Sequence, residues 1–131
     1  MPTRENYKTL LNVARKDLDF AKHGGNAENV YTEGVCYHCH QCVEKVLKAF
    51  LDYNRVNYPF IHNIEKLNAD CQEIDDTFST LNIKCSTLNN YLSDFRYVDE
   101  SEILMSEMYD AIDIASFILD FVNNKIDSED S

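Results

Sequence analysis

Glycine and proline are scarce in this chain, with three of one and two of the other in 131 residues. Folds rich in β-hairpins and loops draw on both residues for their turns, so the scarcity argues against them and favours long helices. No apolar run is long enough to cross a bilayer as a helix, and the opening MPTRENYK is not that of a secretory signal. Five cysteines is an odd number, at spacings that match no secreted disulfide framework. The expected location is therefore the reducing cytoplasm. Also absent are a Gly-rich phosphate loop, a G-x-S-x-G elbow, an EF-hand loop and a paired i, i+4 histidine motif.

A basic excess is lacking too. The net charge is −11, and it is unevenly spread. Residues 1–66 carry nine Lys or Arg and eight Asp or Glu, whereas residues 67–131 carry three and fifteen. Proteins that grip nucleic acid through its phosphates show a basic stripe, and the second half of this chain would repel phosphate. That half reads as a solvated surface, or as an acidic face for a basic partner. A local basic spot from Lys45, Lys48, Arg55 and Arg96 remains available.

What is present is helical periodicity. Tyr7, Leu10, Leu11, Ala14, Leu18 and Ala21 predict a first helix over about 3–22, capped by Thr3 and ended at Gly24-Gly25-Asn26. A second helix is expected over about 27–54, and a short one after Pro59 with Ile64 and Leu67 inward. Ile74, Phe78, Leu81, Cys85, Leu88, Leu92 and Phe95 make a four-three seam, capped by Asp75 or Asp76. Leu104, Met108, Ala111, Ala115, Ile118 and Val122 make another, in a last helix capped by Ser101. The expected fold is all-α, an up-and-down bundle of four long helices plus one short helix. Residues 1–126 form one domain, and 127–131 an acidic flexible tail.

Residues 36–51, CYHCHQCVEKVLKAFL, crowd possible metal ligands into one helix. At about 100° per residue, Cys36, Cys39, His40, Val43, Leu47 and Phe50 share one face. His38, Cys42, Lys45 and Ala49 share the next, and Gln41, Glu44, Lys48 and Asp52 lie on a more polar flank. One face thus offers a pair of ligands at most, Cys36 with His40 or His38 with Cys42. A tetrahedral zinc site needs four, which Cys71 and Cys85 would have to complete after folding. Burial as small hydrophobes is the preferred reading of the cysteines; no metal and no cofactor are expected.

Residues 37–51 resemble the HQAAEKALKALL-like signature of the HEPN family (higher eukaryotes and prokaryotes nucleotide-binding domain). His40, Gln41, Glu44, Lys45, Leu47, Lys48 and Leu51 stand at the matching positions. His62-Asn63-Ile64 with Leu67 resembles the family's H-D-L step. Phe95-Arg96-Tyr97 resembles its A-R-Y-P ending, with Val98 in place of the proline. The resemblance implies an all-α bundle that pairs as a homodimer. It also implies a small nucleotidyltransferase partner, in a toxin–antitoxin-like pair. Some members are metal-independent ribonucleases with an arginine and, four to six residues on, a histidine. In those the arginine stabilises phosphate charge and the histidine serves the 2′-hydroxyl. Here the corresponding positions hold Ser101, Glu102 and Ile103, no histidine follows His62, and the toxin-type tyrosine is missing. The expectation is therefore a dimeric interaction and nucleotide- or phosphate-binding module that lacks the ribonuclease motif.

The candidate ligand-binding residues are Arg96, Tyr97, Lys45 and Lys48, set against plainer roles as ion pairs, packing and a solvated face. The alternative is a divergent metal-independent endoribonuclease whose composite site, across the dimer, uses Arg96 with His40 or His62. The plainer readings are a satisfied core histidine for His40, a capping or packing residue for His62, and an interface position for His38 and Cys42. Tyr37, Ala49, Tyr53, Tyr91 and Tyr97 are expected to leave apolar surface suited to a dimer face.

Overall fold

The computed structural model describes residues 6–58, 60–93 and 102–130. Five α-helices and one 3₁₀ turn make up the chain's described elements, and no strand occurs among the described residues. They are α1 (Asn6–Gly25), α2 (Thr32–Tyr53), α3 (Ile64–Ile74), a 3₁₀ turn (Asp76–Leu81), α4 (Asn82–Tyr91) and α5 (Met105–Asp130). The expected all-α bundle is what forms. No described helix is long and apolar enough to cross a membrane.

Helix α2 is the axle of the bundle, packed against α1, α3, α4 and α5. Its expected inward face is buried: Cys36, Cys39, Val43, Leu47 and Phe50 have no exposed surface. Opposite them lie Leu11, Ala14, Leu18 and Ala21 of α1, and Met108, Ala111, Ala115, Ile118 and Val122 of α5, all buried. Phe78, on the 3₁₀ turn, joins the layers, its ring 4.4 Å from that of Phe50 and 5.1 Å from that of Phe121. Offset and edge contacts at such distances are the favoured aromatic geometries.

Several boundaries differ from expectation for local chemical reasons. Helix α2 begins at Thr32, about five residues later than predicted. It ends in a left-handed cap: Arg55 has φ 61°, and the Arg55 and Val56 N–H groups donate to the Asp52 and Leu51 carbonyls, as in a Schellman motif. The long helix expected from about residue 75 is instead the 3₁₀ turn followed by the ten-residue α4. Asp75 ends α3, and its side chain accepts from the Thr77 N–H to start the turn, so Ile74 is left 40% exposed rather than inward. Helix α5 starts at Met105, not at Ser101. Glu107 reaches back to accept from the Leu104 N–H at 2.9 Å, which makes Leu104 the cap and leaves it exposed while Ile103 is buried. Helix α5 also continues through 127–130, the run expected as a flexible tail. Buried Ile126 anchors its last turns. Thr3, Ser101 and Phe95 lie outside the described residues.

Candidate functional site

Glu44, Lys48 and Asp52 were expected on a polar flank of α2, yet all three are buried. The connector between α2 and α3 covers that flank. Tyr58, on the connector, packs with its ring centroid 5.6 Å from the Lys48 ammonium, and its hydroxyl accepts from Asn6 Nδ2 of α1. His62, just before α3, places Nδ1 at 2.9 Å from Glu44 Oε1, while Lys48 Nζ lies 3.1 Å from Glu44 Oε2. One buried carboxylate is therefore shared by a buried ammonium and an imidazole. The Glu44 side chain is 5% exposed and that of His62 is 82% exposed. His62 is thus held at one nitrogen by the interior and open to solvent elsewhere.

His40 lies one turn before Glu44. Its Nε2 is 2.9 Å from Asn89 Oδ1 of α4. Asn89 Nδ2 donates to Glu65 Oε1 at 3.0 Å and to Asn63 Oδ1 at 3.4 Å. Asn63 Oδ1 in turn caps α3 by accepting from the Glu65 and Lys66 N–H groups. This chain of bonds orients the Asn89 amide, so His40 Nε2 is the donor and Nδ1 keeps its lone pair. Burial lowers the His40 pKa from its ordinary value, only partly opposed by the Asn89 hydrogen bond and the Glu44 charge. A neutral imidazole results.

His40 and His62 meet at one open groove of about 350 Å³, lined also by Tyr37, Gln41 and Leu92. The size falls at the lower end of small-ligand sites. Tyr37 is 53% exposed there.

The two lysines expected to cooperate are pulled apart. Lys45 Nζ lies 2.7 Å from Asp17 Oδ2 of α1, and His38 Nδ1 lies 3.1 Å from Asp17 Oδ1. Lys48 is committed to Glu44, so neither ammonium lines the groove. Arg96 and Tyr97 lie outside the described residues. His62 is not the α3 cap; Asn63 is. Cys42 and Ala49 are fully buried within the chain rather than on an interface, and Tyr53 packs edge-on against Tyr7 at 5.1 Å. Tyr91 donates to Asp110 Oδ2 at 2.6 Å, tying α4 to α5. All five cysteines are buried thiols; burial pushes those of Cys42 and Cys85 up to about 12 and those of Cys39 and Cys71 higher still. Among the described residues no group of three or more His, Cys, Asp or Glu is placed to hold a metal ion.

Glu44 as a hub and Asn89 as the anchor of His40 were not legible as site residues. For Glu44 the only sequence signal was its place in the signature of residues 37–51; Asn89 carried none.

The family model for the HEPN domain matches residues 7–125. The chain is similar in structure to the crystal structure of an archaeal HEPN homologue, at a TM-score of 0.69 and 22% identity, over 96% of this chain and 99% of that one. No curated protein matches it significantly.

Proposed function

The chain belongs to the HEPN domain family, and from that premise we propose that it is a dimeric nucleotide- or phosphate-binding module that pairs with a small nucleotidyltransferase. The observation that carries the binding part is the groove. The motif residues His40, Gln41 and His62, from two separate stretches of the sequence, converge there, with Glu44 of the same signature holding His62 from beneath and Lys48 paired to Glu44. The partner and the dimer rest on the family resemblance and on the acidic second half. A tagged copy purified from its native host should bring down a stoichiometric nucleotidyltransferase, and nucleotides should raise the unfolding temperature, because a ligand that binds only the native state stabilises it. Recovery of the protein alone would refute the pairing, and an unchanged unfolding temperature across nucleotides would refute the binding.

A second reading is a divergent endoribonuclease, with Arg96 and a histidine completing a site across the dimer. Its support is that two histidines share the groove and that one of them, His40, is held neutral and able to accept a proton. Arg96→Ala should then abolish RNA cleavage while the dimer persists; cleavage that survives would rule it out.

A further inference from the structure

The groove's lining discriminates among the parts of a nucleotide. Tyr37 offers a half-exposed ring, although an aromatic side chain gains most by burial. Gln41, one turn on along the same side of α2, has a carboxamide with no hydrogen-bond partner among the described residues. Leu92 adds an apolar wall at the end of α4. A ring, an apolar wall and an unused amide suit a flat heterocycle with a hydrogen-bonding edge. Bases stack on aromatic side chains, and a glutamine can pair with two edge atoms of adenine at once.

The charges set a limit on phosphate. Of the described lining side chains only the histidines can carry positive charge, and His40 is held toward its neutral form. The ammonium of Lys48, behind His62, is bound to Glu44. Carboxylates stand behind both lining histidines, Glu44 one hydrogen bond away on His62 and Glu65 two away from His40, through Asn89. A triphosphate would bring several negative charges to a place whose described lining offers one exposed imidazole. A single phosphate, or none, fits.

We propose that this groove is a nucleobase slot for a nucleoside or nucleoside monophosphate, with the base stacked on Tyr37, its edge read by the Gln41 carboxamide, and the sugar-phosphate end facing His62. The slot rests on the nucleotide-binding reading above and narrows it from phosphate recognition to base recognition.

The test is a set of titrations followed by protein NMR, with AMP, GMP, CMP and UMP, then adenosine, ATP and ribose 5-phosphate. AMP should move the Gln41 side-chain amide and Tyr37 ring signals. Adenosine should bind within tenfold of AMP, and ribose 5-phosphate and ATP should each bind more weakly than AMP, ribose 5-phosphate by at least tenfold. Tyr37→Ala should weaken AMP by about tenfold or more, in line with the worth of base stacking, and Tyr37→Phe should restore it. Gln41→Ala should weaken AMP and leave the unfolding midpoint unchanged. If AMP binds wild type and Tyr37→Ala alike, or no better than ribose 5-phosphate, the slot is wrong while nucleotide binding stands. If none of the four monophosphates binds but ATP does, the slot is again wrong and a polyphosphate site lies elsewhere. If nothing binds, both the slot and the reading beneath it fall.

Discussion

Replacing Glu44 with leucine should unfold the protein far more easily, and replacing Lys48 as well should largely restore it. The structure sets the magnitude. The Glu44 side chain is 5% exposed, and that of Lys48, its partner at 3.1 Å, is 11% exposed. In Glu44→Leu the ammonium loses its ion-pair partner and keeps the Tyr58 ring, 5.6 Å away, beneath the connector. Breaking a buried pair from one side costs about 3–5 kcal/mol. The lower end applies, because Lys48 retains some solvent and the ring, so the expected loss is about 3 kcal/mol. Near the unfolding temperature, the entropy typical of a chain this long turns that into a drop of about 10 °C. Glu44→Leu with Lys48→Met removes both charges and fills both volumes, and such replacements come out near neutral or stabilising. The double variant should therefore lie within about 1 kcal/mol of wild type. Urea unfolding at pH 7 measures all three, and an unchanged m-value certifies that stability alone has moved. A loss below about 1 kcal/mol in the single variant, or a double variant as unstable as the single one, would refute a buried, mutually dependent pair.

Three further outcomes follow from individual residues. Because burial lowers the His40 pKa below its ordinary 6.5, the unfolded chain binds more protons than the folded one in that window; stability falls as pH drops from about 6.5 toward the folded value, and His40→Gln should flatten that fall in urea titrations between pH 7.5 and 5.5. With every thiol buried and the Cys42 and Cys85 thiols pushed up to about 12, the folded protein should show fewer than one thiol reactive toward Ellman's reagent at pH 8, and all five after denaturation; a fast-reacting thiol in the native state would contradict the burial. Arg55 holds a left-handed conformation at φ 61° that glycine adopts without strain, so Arg55→Gly should stabilise by about 0.5–1 kcal/mol, read as a higher urea midpoint.

The fold and the site were legible to different degrees. The inward stripes of α1, α2 and α5 were readable because period 3.6 reports burial one helix at a time. Leu18, Leu47 and Ile118 are buried as that spacing requires. The helix starts were read less well. Glu107 capping from within α5 and Asp75 turning the chain into a 3₁₀ segment are choices among several chemically similar caps. The ordered motifs also pointed to the family, which the match over residues 7–125 bears out.

Residue type and spacing alone thus determined an all-helical chain, the faces its main helices bury, and its kinship. The groove was decided by tertiary structure. The connector after α2 folds back over a flank that a helical wheel marks as polar, buries Glu44 and Lys48, and carries His62 across to meet His40. Periodicity describes how a helix divides its own surface. Which neighbouring segment covers that surface depends on contacts between residues far apart in the chain, such as Glu44 with His62 and His40 with Asn89, and no local pattern encodes them.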